Sequence, residues 1–223
     1  MNRVIIEENI KKILAEIGER DTQLLAVTKT RSVEEINFAI SCGIRHIGEN
    51  RVQELLEKYD SIHKEGVTIH LIGQLQTNKV KYIIDKVDLI HSVDSVRLAQ
   101  EISKRALYIG KKQRILVEIN IGNEESKGGI PANELEPFLR EISSLDGIAV
   151  CGLMCIPPVA TKEHQNKEYF LKMKQFSVDI MEKKIDNINM DILSMGMSGD
   201  YRDAIDAGSS FIRVGQGIFG PRN

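Results

Sequence analysis

Lys29 is the residue whose possible chemistry is easiest to name. It follows the apolar run 24–27, where a buried strand would end. Burial disfavours the charged form of a lysine, which lowers its pKa and frees the amine to form a Schiff base. Arg31 lies close in sequence and would act in the same direction through charge repulsion. Position alone still favours a solvated loop lysine, because most lysines lie at the surface.

Two glycine-containing segments are suited to holding a phosphate group. In residues 194–200 a strand ends in a turn and a helix begins, with Ser198 as the expected cap. Free backbone N–H groups at such a helix start bind phosphate, although an ordinary cap needs the same residues. In residues 213–217, two glycines would let the backbone approach a ligand closely. Because both segments point to one phosphate site, we favour phosphate binding over simple capping.

Two polar residues each have two interpretations. Arg213 would either bind the phosphate directly or lie deeper and face a ring nitrogen. Asn50, which follows Gly48 and Glu49, would either contact a ligand or cap the next helix. The sequence leaves both choices open.

Three histidines fall on successive predicted strands, namely His46, His70 and His91. No carboxylate or cysteine completes a metal-binding set with them. We therefore expect each to be a hydrogen-bonded histidine inside the fold rather than a metal ligand.

The elements that must position these residues alternate along the chain. Short β-rich runs occur at 24–27, 44–47, 68–72, 88–91, 115–119, 149–154, 190–195 and 211–214. Between them lie segments in which apolar residues have helical spacing. Two of these helices are expected to start at a Ser32/Glu35 capping box and at Asp94. The apolar stripes include Val52, Leu55, Leu56, Tyr59; Leu135, Phe138, Leu139, Ile142; and Tyr169, Met173, Phe176, Ile180. This alternation predicts a parallel sheet with helical crossovers.

The predicted fold class is α/β, a (β/α)8 barrel of the TIM type. Eight strands in 223 residues match the size of that fold. The alternative, an open doubly wound sheet, lacks the glycine-rich dinucleotide turn of a switch point. About nine residues follow the last predicted strand, which leaves no room for an eighth following helix, so segment 4–17 is expected to cover that face. Nothing divides the chain, so we expect one domain over residues 1–223, with its active site at the carboxyl ends of the strands.

Composition excludes several classes of function. Hydrophobic residues make up 42% and charged residues 28%, as in soluble globular proteins. A net charge of −2, with no basic and aromatic cluster, argues against nucleic acid binding. Cys42, Cys151 and Cys155 lack zinc-type spacing, which favours a reducing compartment. Charged residues interrupt the apolar N-terminus, so we expect no signal peptide or membrane span and a cytoplasmic protein.

The combined motifs resemble the pyridoxal phosphate homeostasis proteins, also called the proline synthase co-transcribed family. The matching segments are AVTK at 26–29, GENRVQE at 48–54, HLIGQLQ at 70–76, SMGMS at 194–198, RVG at 213–215 and IFG at 218–220. They occur in order over essentially the whole chain, and the joint pattern is highly specific. The resemblance implies a barrel of the alanine racemase N-terminal type without the C-terminal β domain.

The resemblance also implies a cofactor, pyridoxal 5′-phosphate (PLP), and a role for each site residue. Lys29 would hold PLP as a Schiff base, Arg213 would approach the pyridine nitrogen, and Asn50 would line the ring. The phosphate would be held by Ser198 and by the backbone of Gly199, Gly215 and Gln216. Relatives often have a small or hydroxyl residue where this chain has a glutamine at 216, so only the backbone N–H is expected to contribute there.

Three functions follow from these expectations. The resemblance implies a non-catalytic PLP carrier in vitamin B6 homeostasis, with apo PLP enzymes as candidate recipients. Because the barrel lacks the dimer-forming domain, we expect a monomer. The alternative is a PLP-dependent racemase, which needs a second base that full-length racemases take from a separate β domain. The chain ends at Asn223 without such a domain, and only Tyr201 suggested itself as a substitute. A barrel enzyme acting on sugar phosphates without a cofactor would have no need for Lys29.

Overall fold

Eight parallel strands form a closed barrel in the computed structural model, which describes residues 3–124 and 127–221. The strands are β1 (Gln23–Val27), β2 (His46–Glu49), β3 (Thr68–Leu71), β4 (Leu89–Val93), β5 (Gln113–Ile119), β6 (Ile148–Cys155), β7 (Ile188–Ser194) and β8 (Phe211–Val214). Each strand pairs with its neighbours in chain order, and β8 pairs with β1. The predicted (β/α)8 barrel is therefore confirmed, and the open sheet is excluded. The second strand begins two residues later than predicted.

Helices surround the barrel. They are α1 (Arg3–Ile17), α2 (Val33–Ser41), α3 (Val52–Tyr59), α4 (Val96–Tyr108), α5 (Leu135–Ile142), α6 (Lys167–Glu182), α7 (Tyr201–Asp206) and α8 (Gln216–Phe219). A 3₁₀ segment, Thr77–Tyr82, replaces an α-helix between β3 and β4, and another, Ala132–Glu134, leads into α5. The predicted stripe of α6 is partly wrong, because Phe170 and Ser177 are buried with Met173 and Ile180 while Tyr169 and Phe176 are half-buried.

Capping interactions fix where α2 and α4 begin. The predicted box at α2 is confirmed, since the Ser32 hydroxyl accepts the Glu35 N–H and the Glu35 carboxylate accepts the Ser32 N–H. The predicted cap of α4 was wrong by one residue. Ser95 caps this helix by accepting the Leu98 N–H. Asp94 instead accepts a backbone hydrogen bond from Gly129, in the loop that follows β5.

The end of the chain differs from the expectation that no helix would follow β8. A single turn, α8, begins directly after that strand and covers four residues. The positive φ of Gly220 (82°) ends it. The expected covering role of α1 is confirmed, because α1 packs beside α8 and the Asn9 side chain donates to the Ile218 carbonyl at 3.0 Å.

The side chains inside the barrel are separated from the main core between strands and helices. The inner cluster consists of Leu25, Val27, Ile72, Leu89, Leu116, Met154, Ile192 and Phe211. Because side chains alternate along a strand, residues two positions beyond an inner one also face the axis. This alternation directs Lys29, Glu118 and Arg213 toward the axis at the carboxyl ends of the strands.

Candidate functional site

Lys29 lies at the mouth of the barrel, just beyond the end of β1, and is half-buried. The ladder with β2 continues through Thr28, whose N–H bonds to the Gly48 carbonyl at 3.0 Å. Thr30 then adopts a positive φ of 63°, which turns the chain away. Arg31, the expected cationic neighbour, donates to the Gly220 carbonyl at 2.6 Å, so its charge is directed to the loop after β8.

A buried network holds the backbone in front of Lys29. Lys58 donates to the Thr28 carbonyl and to Glu49 Oε1, both at 2.9 Å, and to Glu54 Oε1 at 2.6 Å. Thr28 also donates its hydroxyl proton to Glu49 Oε1 at 2.7 Å. Burial raises the pKa of Glu49, although Lys58 and Thr28 oppose that shift. This network was not predicted from the sequence, where the i,i+4 pair of Glu54 and Lys58 was the available signal.

The loops after β7 and β8 meet, as predicted, and form a cradle of Ser198, Gly199, Gly215, Gln216 and Gly217. Ser198 Oγ accepts the N–H of Gly217 at 3.1 Å and so ties the two loops together. A Cβ on Gly217 would lie 2.7 Å from Val214 Cγ1, so a side chain here would displace part of the loop after β8. A Cβ on Gly215 would lie 3.3 Å from Val27 Cβ, which places the cradle beside the end of β1.

Ser198 does not cap α7, contrary to the sequence prediction. The helix begins at Tyr201, and its N-cap position is Asp200. The Asp200 side chain closes the preceding turn by accepting the Met197 N–H at 2.7 Å. Ser198 lies too far before the helix to reach its first N–H groups, and its hydroxyl oxygen is used by the β8 loop instead.

Arg213 takes the deeper of the two positions considered for it. Its guanidinium donates to Ser194 Oγ at 2.7 Å and to the Cys155 carbonyl at 2.8 Å. The residue is only 4% exposed, and burial lowers the pKa of its guanidinium. An arginine nevertheless keeps its proton in proteins and can only donate hydrogen bonds. Its partners among the described residues are thus the Ser194 hydroxyl and the Cys155 carbonyl.

Asn50 does not cap α3, because the N-cap residue is Arg51 and no side chain caps that helix. Asn50 Oδ1 is buried and has no hydrogen-bond partner among the described residues. A buried acceptor without a donor costs about 1–3 kcal/mol. Among the described residues, Asn50 therefore has neither the capping role nor a donor for its side-chain oxygen.

Glu118 is a residue of the mouth that the sequence analysis missed. It points inward from β5, is 8% exposed, and makes no side-chain hydrogen bond to any described residue. Burial raises the pKa of its carboxyl to about 7, the charge of Asp94 adds to this shift, and Arg213 opposes it. A Cβ on Gly128 would lie 3.4 Å from Asp94 Oδ2 and 3.8 Å from Glu118 Oε2, so both carboxyls converge beneath one loop. The available signal was its place two residues after the inner Leu116.

Tyr201, the possible second base, lies outside the barrel mouth. Its hydroxyl donates to Glu16 on α1 at 2.7 Å. Burial and the Glu16 carboxylate raise the pKa of Tyr201 to about 12. The suggestion that Tyr201 replaces the missing base is therefore wrong.

A cavity of about 300 Å³ adjoins the outer side of the cradle. Ser198, Gly199 and Gly217 line it, together with residues of α1 and of the loop before α6. Lys29, Asn50 and Arg213 do not line it. The cavity thus borders part of the cradle but not the deeper residues of the proposed site.

Within 3–124 and 127–221, no three His, Cys, Asp or Glu side chains are grouped so that they could hold a metal ion. Among the helices of these ranges, none has the length and apolar character needed to cross a membrane.

Comparison with known proteins identifies the relatives of this chain. The family model for the alanine racemase N-terminal domain matches residues 2–223. The pyridoxal phosphate homeostasis protein of Aquifex aeolicus (strain VF5) is 40% identical over 205 residues, which are 92% of this chain and 89% of that protein.

Solved structures agree with this relationship. PipY of Synechococcus elongatus PCC7942, solved with PLP bound, is 30% identical, with a TM-score of 0.88 over 96% of this chain and 100% of that one. The alanine racemase of Corynebacterium glutamicum shares the fold, with a TM-score of 0.78 at 13% identity, over 98% of this chain and 61% of that one. The chain thus belongs to the alanine racemase N-terminal domain family and, within it, to the pyridoxal phosphate homeostasis proteins.

Proposed function

We propose that this chain binds PLP at the barrel mouth and serves as a carrier of the cofactor in vitamin B6 homeostasis, without catalytic turnover. The observation that carries the proposal is the arrangement at the β8–β1 junction, where a cradle of backbone N–H groups adjoins β1, and Lys29 lies just beyond the end of that strand. Membership of a family named for PLP homeostasis, and a relative solved with PLP bound, support the same conclusion.

The cradle fits a phosphate ester. Because Ser198 Oγ accepts the Gly217 N–H, its hydroxyl proton remains available to an anion. The backbone N–H groups of Gly199, Gly215 and Gln216 supply further donors. Gly217 keeps a side chain out of this space. We assign the phosphate to these residues.

The deeper residues fit an aromatic ring with a nitrogen acceptor. When bound, PLP supplies an aldehyde that condenses reversibly with primary amines. We assign Lys29 as the amine that holds it. Arg213 would donate to the pyridine nitrogen, and the buried Asn50 Oδ1 would accept a hydrogen bond beside the ring.

Arg213 also bears on the chemistry that bound PLP would support. Because arginine only donates, it keeps a pyridine nitrogen unprotonated, and the ring is then a weak sink for electrons. Carbanion chemistry is disfavoured, whereas reversible exchange of amines is retained. The hydroxyl of Tyr201, which the sequence suggests as a substitute base, is engaged by Glu16.

The first experiment tests cofactor binding. Purified chain mixed with PLP should absorb as a Schiff base, and Lys29→Ala and Lys29→Arg should both lose that absorbance. Lys104→Ala, which removes an exposed lysine on α4, is the matched control and should keep it. A colourless wild type that takes up no PLP would refute the proposal, and an unchanged Lys29→Ala spectrum would refute the assignment of the lysine.

A second experiment separates a carrier from an enzyme. The PLP-loaded chain is incubated with each amino acid in deuterated water, and the α-hydrogen is followed by NMR. We expect exchange no faster than with free PLP. Substantially faster exchange would favour the racemase.

A further inference from the structure

A chain of hydrogen-bonded side chains runs through the interior of the barrel and ends at Arg213. From the amino end, His46 Nδ1 lies 3.2 Å from His70 Nε2, and His70 Nδ1 lies 2.9 Å from His91 Nε2. His91 Nδ1 is then 2.9 Å from Ser194 Oγ, which accepts from Arg213 at 2.7 Å. The prediction that these histidines are hydrogen-bonded inside the fold is confirmed. Their connection to a proposed ligand-binding residue was not foreseen.

The surroundings of this hydrogen-bonded series of side chains keep its histidines neutral. Phe211 contacts all three rings, with centroid distances of 4.9 Å to His46, 5.2 Å to His70 and 6.1 Å to His91. Burial lowers the pKa of His70 to about 3, and it also lowers the pKa values of His91 and His46 below the usual value of a histidine. A neutral imidazole has one nitrogen that donates and one that accepts. Each ring must therefore adopt one tautomer.

Arg213 fixes the donor-to-acceptor direction of these hydrogen bonds. Because a guanidinium only donates, Ser194 Oγ must accept from it. The hydroxyl proton of Ser194 then has His91 Nδ1 as its acceptor, since these are its only described partners. With the opposite tautomer of His91, that proton would be buried without an acceptor, at a cost of about 1–3 kcal/mol.

The same direction continues to the amino end of the barrel. His91 carries its proton on Nε2 and donates to His70 Nδ1. His70 likewise carries its proton on Nε2, which faces His46 Nδ1 and, at 3.2 Å, Thr68 Oγ1. Every donor thus points away from Arg213, and every acceptor points toward it. Hydrogen bonds aligned in this way polarise one another.

We propose that Ser194, His91 and His70 are positioning residues that hold the Arg213 guanidinium, through this one-directional chain, in the orientation that faces a ring nitrogen at the mouth. The part of the proposal that concerns a ring nitrogen rests on the proposed function. The direction of the hydrogen bonds from Arg213 to the histidines does not depend on the proposed function.

The charged groups around Arg213 explain why neutral hydrogen-bonding side chains are needed to hold its guanidinium. Glu118, Asp200 and the Cys155 thiol are the groups whose charges would favour the guanidinium. Burial raises the pKa of Cys155 to about 12, so the thiol stays neutral. Neither carboxylate accepts a hydrogen bond from Arg213 in the described structure. The fixed partners of the guanidinium are therefore Ser194, with the histidines behind it, and the Cys155 carbonyl.

The first test uses the cofactor-free protein. Ring ¹⁵N NMR at neutral pH should show His91 and His70 protonated on Nε2 alone. Arg213→Met and Ser194→Ala should each give His91 a mixture of tautomers, whereas Ser194→Thr, which keeps the hydroxyl, should preserve the wild-type pattern. A protonated Nδ1 on His91, or tautomers that do not change in Arg213→Met, would overturn the proposal.

The second test compares two ligands. Loss of the hydroxyl in Ser194→Ala should weaken PLP binding about tenfold, as expected from the loss of one hydrogen bond to a charged group. The affinity for inorganic phosphate should stay unchanged, and Ser194→Thr should restore PLP affinity. Wild-type PLP affinity in Ser194→Ala would overturn the positioning role. If the wild type bound no PLP while the tautomers were as expected, the proposed function would fail and the direction of the chain would stand.

Discussion

Glu118 gives the most quantitative prediction, because its titration is shifted by identifiable groups. Its pKa is about 7 in the folded chain against a usual 4.5, owing first to burial and then to Asp94, with Arg213 opposing. The folded chain therefore binds this proton more tightly than the unfolded chain does. The stability from this group is complete below pH 4.5 and is lost as the pH rises toward 7. Linkage gives a total loss of about 3 kcal/mol.

The variant Glu118→Gln removes this titration while keeping the size of the side chain. Relative to the wild type, its free energy of unfolding should rise by about 2.5 kcal/mol between pH 5 and pH 8. Urea unfolding of the cofactor-free proteins at both pH values measures the difference. Glu57→Gln is the matched control, because it removes an exposed carboxylate of α3 away from the mouth. A difference between Glu118→Gln and wild type that does not change with pH would refute the reasoning.

The causes of the shift can be tested separately by following the Glu118 carboxyl with ¹³C NMR. Asp94→Asn should lower the pKa of Glu118, because it removes a negative neighbour. Arg213→Met should raise it, because it removes a positive one. Shifts of the opposite sign would show that these groups do not face Glu118 as described.

Three further substitutions test the site. Lys58→Met should destabilise the protein by about 3–5 kcal/mol in urea unfolding, because it leaves the carboxylate of Glu49 buried without its cation. Lys104→Met is the control, and equal stability of the two variants would contradict the network. Gly217→Ala should weaken PLP binding at least about tenfold in a spectroscopic titration, because its Cβ would lie 2.7 Å from Val214 Cγ1 and displace the β8 loop; unchanged affinity would remove Gly217 from the cradle. Asn50→Leu should raise the stability of the cofactor-free protein by about 1 kcal/mol, because an unpaired buried acceptor is lost. The same substitution should weaken PLP binding. A large destabilisation would show that Asn50 already has a structural partner.

The parts of the fold that depend on local patterns were predictable. Apolar runs that end in polar or glycine residues gave all eight strands, and with them the position of Lys29 at a strand end. The capping box at Ser32 was read correctly because it depends on residues three apart. The cap of α4 was misplaced because Asp94 and Ser95 are both good caps, and only the position of the loop at Gly129 decides which one is used elsewhere.

The contacts that depend on closure of the barrel were not predictable. The sequence predicts Ser198 as a helix cap, whereas its actual partner, the N–H of Gly217, lies in the loop after another strand. The link from Ser194 to His91 joins residues 103 positions apart across the barrel. Such contacts follow from register and from the spacing of strands around the axis, which local sequence does not specify.

The central claim is that Lys29 and the cradle hold opposite ends of one PLP molecule. A crystal structure of the chain loaded with PLP tests this most directly. We predict electron density continuous from Lys29 Nζ to the ring, with the phosphate between Ser198 and Gly215 and the ring nitrogen within hydrogen-bond distance of Arg213. A Lys29 side chain directed to solvent, with PLP absent from the mouth or bound at another lysine, would contradict the account.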